Sequence, residues 1–330
     1  MSAVVRIGLF IGLFFSLAPV LAQPSVASST DDYPNRYIRL VVPYAAGAAP
    51  DVVARILGEK IGLNVGQRVL LENHGGGGGA IGSALVAKAL PDGYTLLLNT
   101  AAHAAYPFFN KNLPYDPLKD LAPVSILAKN FGYLLVINPS LPVKSVSNLI
   151  SLAKANPGSL KFGTAGLGSA MQMAAELMNY LSKVKMTPIH YTGVPAALTD
   201  IISGQIELGF PAVASGLPLV KAGRLRVLAI SSDKRWSKMP DIMTLAEAGI
   251  KGYRYVGWYG LWVPGSTAPG LITKIQNEVV KAGKDPVIHQ KFDSQGLELV
   301  GSTPQELAKL TEEEFALNKK LTQSMGIIAE

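Results

Sequence analysis

Short β-branched runs alternate with helix-period segments along almost the whole chain, and that alternation limits the fold more than any other feature. Ile38-Arg39-Leu40-Val41-Val42 reads as a buried strand, and Asp51 to Ile61 as a helix with Val52, Ile56 and Leu57 on one face. Val69 to Leu71 and Tyr94 to Leu98 read as strands on either side of a helix from Ile81 to Leu90. The grammar repeats with strands at Tyr133 to Ile137, Leu160 to Phe162, Thr187 to His190, Ile206 to Phe210 and Arg226 to Ile230. Between them lie helices capped at Ser145, from Ala170 to Leu181, and from Pro195 to Ser203. A long strand from Tyr255 to Val263 precedes helices at Gly270 to Ala282 and Pro304 to Thr322. Strands that alternate with helices predict an α/β fold of mainly parallel sheets, flanked by helices on both faces.

The first residues set a compartment. Arg6 precedes an apolar run from Ile7 to Leu17 and the small-residue stretch Ala18-Pro19-Val20-Leu21-Ala22. A basic residue, an apolar core and a Val-x-Ala site are the parts of a signal peptide, and the run falls short of the ~20 residues a membrane span needs. Residues 1–22 are therefore expected to be removed, with cleavage after Ala22 or Ala27, and residues 23–32 to form a mobile leader. The chain has no cysteine, which excludes a lipid-anchored cysteine, disulfides and thiolate metal sites. What remains suffices for about two domains at ~150 residues each. The formal charge of +7 is spread along the chain, with no basic run longer than Lys319-Lys320. That pattern favours weak steering of anions over nucleic-acid binding.

In open α/β sheets ligands sit at the carboxyl ends of strands, beside the helix starts. Four loops occupy such positions: Pro43 to Pro50, Thr100 to His103, Gly163 to Ser169 and Tyr191 to Pro195. They are rich in Gly, Ala, Ser and Thr and carry no Lys or Arg. Small residues let backbone N–H groups approach a ligand, and helix N-termini hold anions without a cationic side chain. The expected ligand contacts are Tyr44, Ala46, Gly47, Ala48, Asp51, Thr100, His103, Thr164, Ala165, Gly168, Ser169, Tyr191 and Phe210, with Tyr44 and Phe210 as aromatic walls. Asp51 lies in a first helical turn, where bracing the loop competes with ligand contact. His190 reads as a packed strand residue. Gly75 to Gly79 lacks the Gly-Lys-Ser/Thr of a phosphate cradle and reads as a flexible loop. Gly163, Gly166 and Gly168 miss the dinucleotide spacing.

No catalytic constellation emerges. His74, His103, His190 and His289 lack zinc-hydrolase spacing, and Gly168-Ser169-Ala170 is not a nucleophile elbow. A hydrolase pairing Ser169 with His103 would lack an acid partner. Neither metal nor cofactor is expected.

The chain resembles the substrate receptors of tripartite tricarboxylate transporters, the Bordetella uptake gene (Bug) family, from Tyr33 to its C-terminus. The marks are Ile38 to Tyr44 with Gly47, Asp51 to Arg55, Glu72-Asn73, Ile81-Gly82 and Pro91 to Leu97. Further on come Leu113 to Pro117, Asn156-Pro157-Gly158, Ala196 to Asp200, Lys221 to Arg226 and Trp258-Tyr259-Gly260. The resemblance implies a two-lobed periplasmic receptor, type II-like, with residues 33–128 and 258–330 in one lobe and 129–257 in the other. Crossing hinge strands would fall near Ser125 to Leu135 and Val256 to Val263. It also implies a small di-, tri- or aromatic carboxylate held by backbone amides and waters of the loops Tyr44 to Pro50 and Gly163 to Ser169. Membrane permease subunits would be the partners of a monomeric receptor, with a sensor system as the alternative. The chain departs from the family at Ala48 (usually Gly), His74-Gly75 (usually Arg-Pro), Thr192 (usually Lys or Arg) and Pro211 (commonly Asp). The last two departures favour a less polar acid, and Pro211 argues against an amino acid.

Overall fold

Two strand–helix–strand units with a common centre start the first sheet. In β1 (Ile38–Val42) all but Arg39 are buried, so both faces of the strand need cover. That cover begins with α1 (Ala49–Val65), which starts with Pro50 in its first turn and stops at Gly66, whose φ of 68° a side chain would resist. The chain returns parallel to β1 as β2 (Val69–Asn73) and, after α2 (Ala80–Ala87), again as β3 (Thr95–Thr100). The structure is a computed structural model and describes residues 32–44, 46–75, 79–110 and 112–326. The expected signal peptide, the leader apart from Asp32, and the middle of the glycine run lie outside them.

Past two short 3₁₀ turns, Ala101–Ala104 and Tyr106–Phe108, a ten-residue strand β4 (Leu121–Asn130) ends beside β5 (Leu134–Ile137), the first strand of the second sheet. There follow α3 (Val146–Ala155), β6 (Lys161–Thr164), α4 (Ala170–Ser182), β7 (Thr187–His190), α5 (Val194–Ser203), β8 (Leu208–Gly209), α6 (Val213–Lys221) and β9 (Arg226–Ile230). A long extended return leads into β10 (Trp258–Pro264), then α7 (Pro269–Gly283), α8 (Pro286–Ser294), β11 (Leu297–Leu299) and α9 (Pro304–Ser324). The first sheet has the order β11-β4-β10-β3-β1-β2 and the second β7-β6-β8-β5-β9.

The fold is the expected α/β class. Parallel pairing holds where strands alternate with helices, in β2-β1-β3 and β7-β6-β8. It gives way to antiparallel pairing wherever β4, β5, β9, β10 or β11 takes part, because these strands carry the chain between the sheets or close their edges. Each sheet therefore has a parallel part and an antiparallel part.

Each sheet has its own core. Val41, Leu97, Leu121, Trp258 and Trp262 pack in the first, and Leu149, Phe162, Met173, Met178 and Phe210 in the second. Burying a side chain of this size contributes about 1.5–3 kcal/mol. One element belongs to both cores: Leu307 near the start of α9 lies in the first and Leu321 near its end in the second. A capping box of Thr303 and Glu306 fixes the start of that helix. Residues Pro34–Glu330 form one compact unit.

Candidate functional site

A cavity of about 230 Å3 opens where the carboxyl ends of β3 and β6 meet the chain returning to β10. It is walled by Tyr44, Pro50, Thr100 and Ala101 on one side and by Gly168, Ser169 and Ala170 on the other. Tyr133, Tyr255, Gly257, Trp258 and Tyr259 form its base. None of the described lining residues is Lys, Arg, Asp, Glu or His. The volume falls below the roughly 300–1,000 Å3 of sites for drug-sized molecules and suits an acid of a few carbons.

The first wall is the loop into α1. Its N-cap, Ala48, has no side chain to cap with, and Pro50 occupies the first turn. Asp51 supplies the missing order from inside the helix. Its Oδ2 accepts from the Gly47 amide and from Arg55 Nε, each at 2.9 Å, and its Oδ1 accepts from Asn73 Nδ2 at 3.1 Å. Asn73 Nδ2 also donates to the Tyr44 carbonyl at 3.1 Å. Burial by itself would push the Asp51 carboxyl up, but the bonds from Arg55, Gly47 and Asn73 outweigh it and hold it below its ordinary range. The Tyr44 hydroxyl donates to Asn99 Oδ1 at 3.0 Å and lies 2.8 Å from Thr100 Oγ1 and 3.2 Å from the Tyr106 hydroxyl. Asn99 in turn donates to Ser83 Oγ at 3.1 Å. This buried chain fixes the ring of Tyr44 as wall.

The second wall, the loop into α4, caps itself. Ser169 Oγ accepts from the Gln172 amide at 3.4 Å and the Ala165 amide at 3.2 Å, and Gln172 Oε1 accepts from the Gly168 amide at 2.8 Å. Gly168 has φ +72°, and a Cβ there would stand 3.0 Å from the Phe109 ring. Two constraints thus require glycine: the left-handed backbone and the approach of a ring carried by the other sheet's connections. Thr164 Oγ1 lies 2.8 Å from His190 Nδ1.

α1 and α4 come from different sheets and present their N-terminal ends, Pro50 and Ser169-Ala170, to one cavity. The first N–H groups of a helix have no partner within it, and the aligned peptide dipoles favour an anion there. The base supplies neutral hydroxyls. Burial raises the phenols of Tyr133 and Tyr255 and, with Tyr44 nearby, pushes Tyr259 up to about 12, so all three stay protonated at neutral pH. The rings of Tyr133 and Tyr255 sit 5.7 Å apart. Between them the backbone is pinned: Asn130 donates its amide to the Gly257 carbonyl and accepts from the Gly257 amide at its Oδ1, each at 2.8 Å. A Cβ on Gly257 would overlap the Tyr133 hydroxyl.

Of the residues expected from sequence, Tyr44, Thr100, Gly168 and Ser169 line this cavity. Ala46, Gly47 and Ala48 form the exposed to half-exposed turn ahead of α1, and Asp51 sits behind it, 1% exposed and occupied in bracing. Ala165 bonds within its own loop, and Thr164 bonds both there and to His190 on the neighbouring strand. Tyr191 turns to the opposite side of its sheet and donates to Asp200 at 2.7 Å. Phe210, expected as a wall, is fully buried in the second core, since β8 places it among the apolar residues of α4. His103 is likewise core: its Nε2 donates to the Pro117 carbonyl at 3.0 Å, and its ring lies 4.7 Å from Trp262. Burial holds its pKa down at about 4, so it is neutral. With the Ser169 hydroxyl used as a cap and His103 bonded elsewhere, the Ser169–His103 hydrolase pair is not assembled. His190, expected to pack, is exposed. The residues that sequence reasoning missed are Pro50, the alanines after Thr100, and the base tyrosines. Trp258 is both core and wall, 1% exposed at the base.

Among the described residues no group of three or more His, Cys, Asp or Glu is placed to hold a metal ion, and no helix is long and apolar enough to cross a membrane. Residues 53–327 match the profile of the tripartite tricarboxylate transporter family receptor. Protein BugT of Bordetella pertussis is 32% identical over 296 residues, which are 89% of this chain and 89% of that one. Among solved structures, an R. palustris protein with adipate superposes with a TM-score of 0.79 at 32% identity, covering 91% of this chain and 100% of its own. MatC of Rhodopseudomonas palustris with bound malate superposes with a TM-score of 0.73 at 29% identity, covering 88% of this chain and 99% of its own.

Proposed function

This chain belongs to the tripartite tricarboxylate transporter family receptors, and from that membership we propose that it captures a small carboxylate in the periplasm and delivers it to membrane permease subunits. The observation that carries the reading is the cavity into which α1 and α4 point their N-terminal ends, without a charged side chain on its described walls. Such a site suits an anion of compact shape. The adipate and malate of the two solved relatives are acids of this size. The helix ends take a ligand carboxylate, Thr100 and Ser169 frame it, and the tyrosines at the base receive the remainder. Residues 33–128 and 258–330 act as one lobe and 129–257 as the other, so a ligand that touches both favours the closed arrangement. The N-terminal residues 1–22 direct export and are removed. The role is binding, not catalysis.

The test is a thermal-shift screen of mature, refolded protein against mono-, di- and tricarboxylates and aromatic acids. A ligand present at ~100 times its Kd stabilises by ~2.7 kcal/mol, a rise of a few degrees in Tm. A carboxylate hit supports the proposal. Silence across the panel, with a clear response to an amine or a sugar, would overturn it.

A further inference from the structure

A second cavity, of about 390 Å3, lies behind the segments that cross between the sheets. Its walls come from both sheets: Lys129 and Glu298 from the first, the loop Ser232 to Ser237 after β9 from the second, and Arg254 and Val256 from the return to β10. Along that return Tyr255 and Gly257 line the front cavity, whereas Arg254 and Val256 line the rear one. Burial alternates in step, with Tyr253, Tyr255 and Gly257 buried and Arg254 exposed. An extended chain turns successive side chains to opposite sides. The two cavities therefore back onto one stretch of chain.

Cations reach the rear cavity from three separate segments: Lys129, Lys234 with Arg235, and Arg254. Two acids share the wall, Asp233 and Glu298. Arg235 is already engaged by Glu247 at 2.9 Å, and Glu298 stands opposite Lys129 in the β4–β11 ladder. Asp233 pairs loosely with Arg254, 3.7 Å from its Nε and beyond hydrogen-bond length, and among the described residues Lys234 has no ion pair. Trp236 walls the same cavity, its ring stacked on Phe131 at 5.3 Å. A low-dielectric wall of this kind strengthens the field of the charges above it.

We propose that the rear cavity is a second binding site, for a compact multivalent phosphate. The guanidinium of Arg254 offers a planar pair of donors that matches a phosphate edge, and Lys234 supplies a point charge from the opposite segment. One consequence rests on the receptor reading above: because the crossing chain separates the two cavities, a rotation that narrows the front widens the rear. A phosphate bound behind the crossing holds the front open and weakens acid binding there, and by linkage the acid weakens phosphate binding by the same factor. The Lys238–Asp293 ion pair, 2.6 Å long, joins the loop after β9 to α8 and resists the same movement.

Isothermal titration with inorganic pyrophosphate on the mature protein tests the site, and sedimentation with phosphatidic acid vesicles, whose phosphomonoester ionises a second time, tests whether the phosphate is a lipid headgroup. Arg254→Ala combined with Lys234→Ala, both exposed, is expected to weaken pyrophosphate or vesicle binding about tenfold or more, while Lys309→Ala on α9 leaves it unchanged. Binding of pyrophosphate assigns a free anion, and binding of vesicles alone assigns a headgroup. Absence of both, or equal binding by the double variant, overturns the proposal. Adipate titrated with and without pyrophosphate then reads the coupling. A weaker apparent adipate affinity with pyrophosphate supports it, and an unchanged one overturns the coupling. If adipate and the rest of the acid panel fail to bind while pyrophosphate binds, it is the receptor reading that falls and the rear site that stands.

Discussion

The loops into α1 and α4 do the same job with different chemistry. Both bring the N-terminal end of a helix to one cavity. The first is ordered by a buried carboxylate: Asp51 gathers the Gly47 amide, Arg55 and Asn73. The second is ordered by neutral groups, the hydroxyl of Ser169 and the amide of Gln172, which accept from its own backbone. A carboxylate beside an anion site looks self-defeating. It is tolerable here because Asp51 is 1% exposed with both oxygens bonded, and because it stands behind its turn and off the cavity wall. The comparison teaches that a charge near an anion site is read correctly only once its partners are known.

The largest effect should come from breaking the charged brace. Asp51→Ala leaves Arg55 and the Gly47 amide without this acceptor and Asn73 with the Tyr44 carbonyl alone, and bonds to a charged group contribute about 1.5–3 kcal/mol each. A loss of about 3 kcal/mol in urea denaturation is expected, together with weaker acid binding. Asp51→Asn should lose less. A near-neutral Asp51→Ala would mean that the loop is ordered by something else.

Next in size is Gly168→Ala in the neutral loop. The substitution meets both a positive φ and the Phe109 ring at 3.0 Å, so instead of the ~0.4–1 kcal/mol gain seen at a compatible glycine site it should destabilise by more than ~1 kcal/mol. It should also lower affinity for a carboxylate more than stability alone accounts for, because the ring and the loop must part. Ser169→Ala should cost about 1 kcal/mol, the usual value for a lost N-cap. If Ser169→Ala proved as damaging as Asp51→Ala, the contrast between charged and neutral bracing would fail.

Much of the fold was legible in the residues, for reasons that also explain the omissions. β1, β7 and β9 stand where apolar or β-branched runs are bounded by turn residues, and their ends match the expected ones. The ten-residue β4 did not show as a strand because Pro123 and Ser125 interrupt its apolar run; only the resemblance placed a crossing near it. α6 carries Gly216 and Pro218 inside it, and α8 is short and mostly polar, so neither displays a helical stripe. The site was half legible. Loops rich in small residues after strands gave Tyr44, Thr100, Gly168 and Ser169. Tyr133 was hidden because it lies on one crossing segment while Tyr255 and Tyr259 lie on the other, far along the chain, so no local pattern joins them. His103 and Phe210 misled for the opposite reason: they sit at strand ends, yet their side chains point into the cores.

The smallest effect, and the one that isolates the charged brace, is the dependence on acid. Asp51 has a folded pKa below its ordinary range, and Arg39, through a fork of two 2.8 Å bonds, brings Glu72 down to about 2. A carboxyl with a depressed folded pKa stabilises fully above its unfolded value, near 4, and loses that contribution as pH falls through the folded value. Stability of the wild-type protein should therefore decline from about pH 5 and go on declining towards pH 2, where Glu72 titrates. Both carboxylates serve the first sheet; the loop into α4 has none in its brace. Thermal melts of Asp51→Asn and Glu72→Gln should show a shallower acid decline than wild type, whereas Ser169→Ala should lower Tm at every pH and keep the wild-type slope. Parallel curves for all four proteins would show that the acid response arises elsewhere, and the chemical distinction between the two helix ends would lose its thermodynamic content.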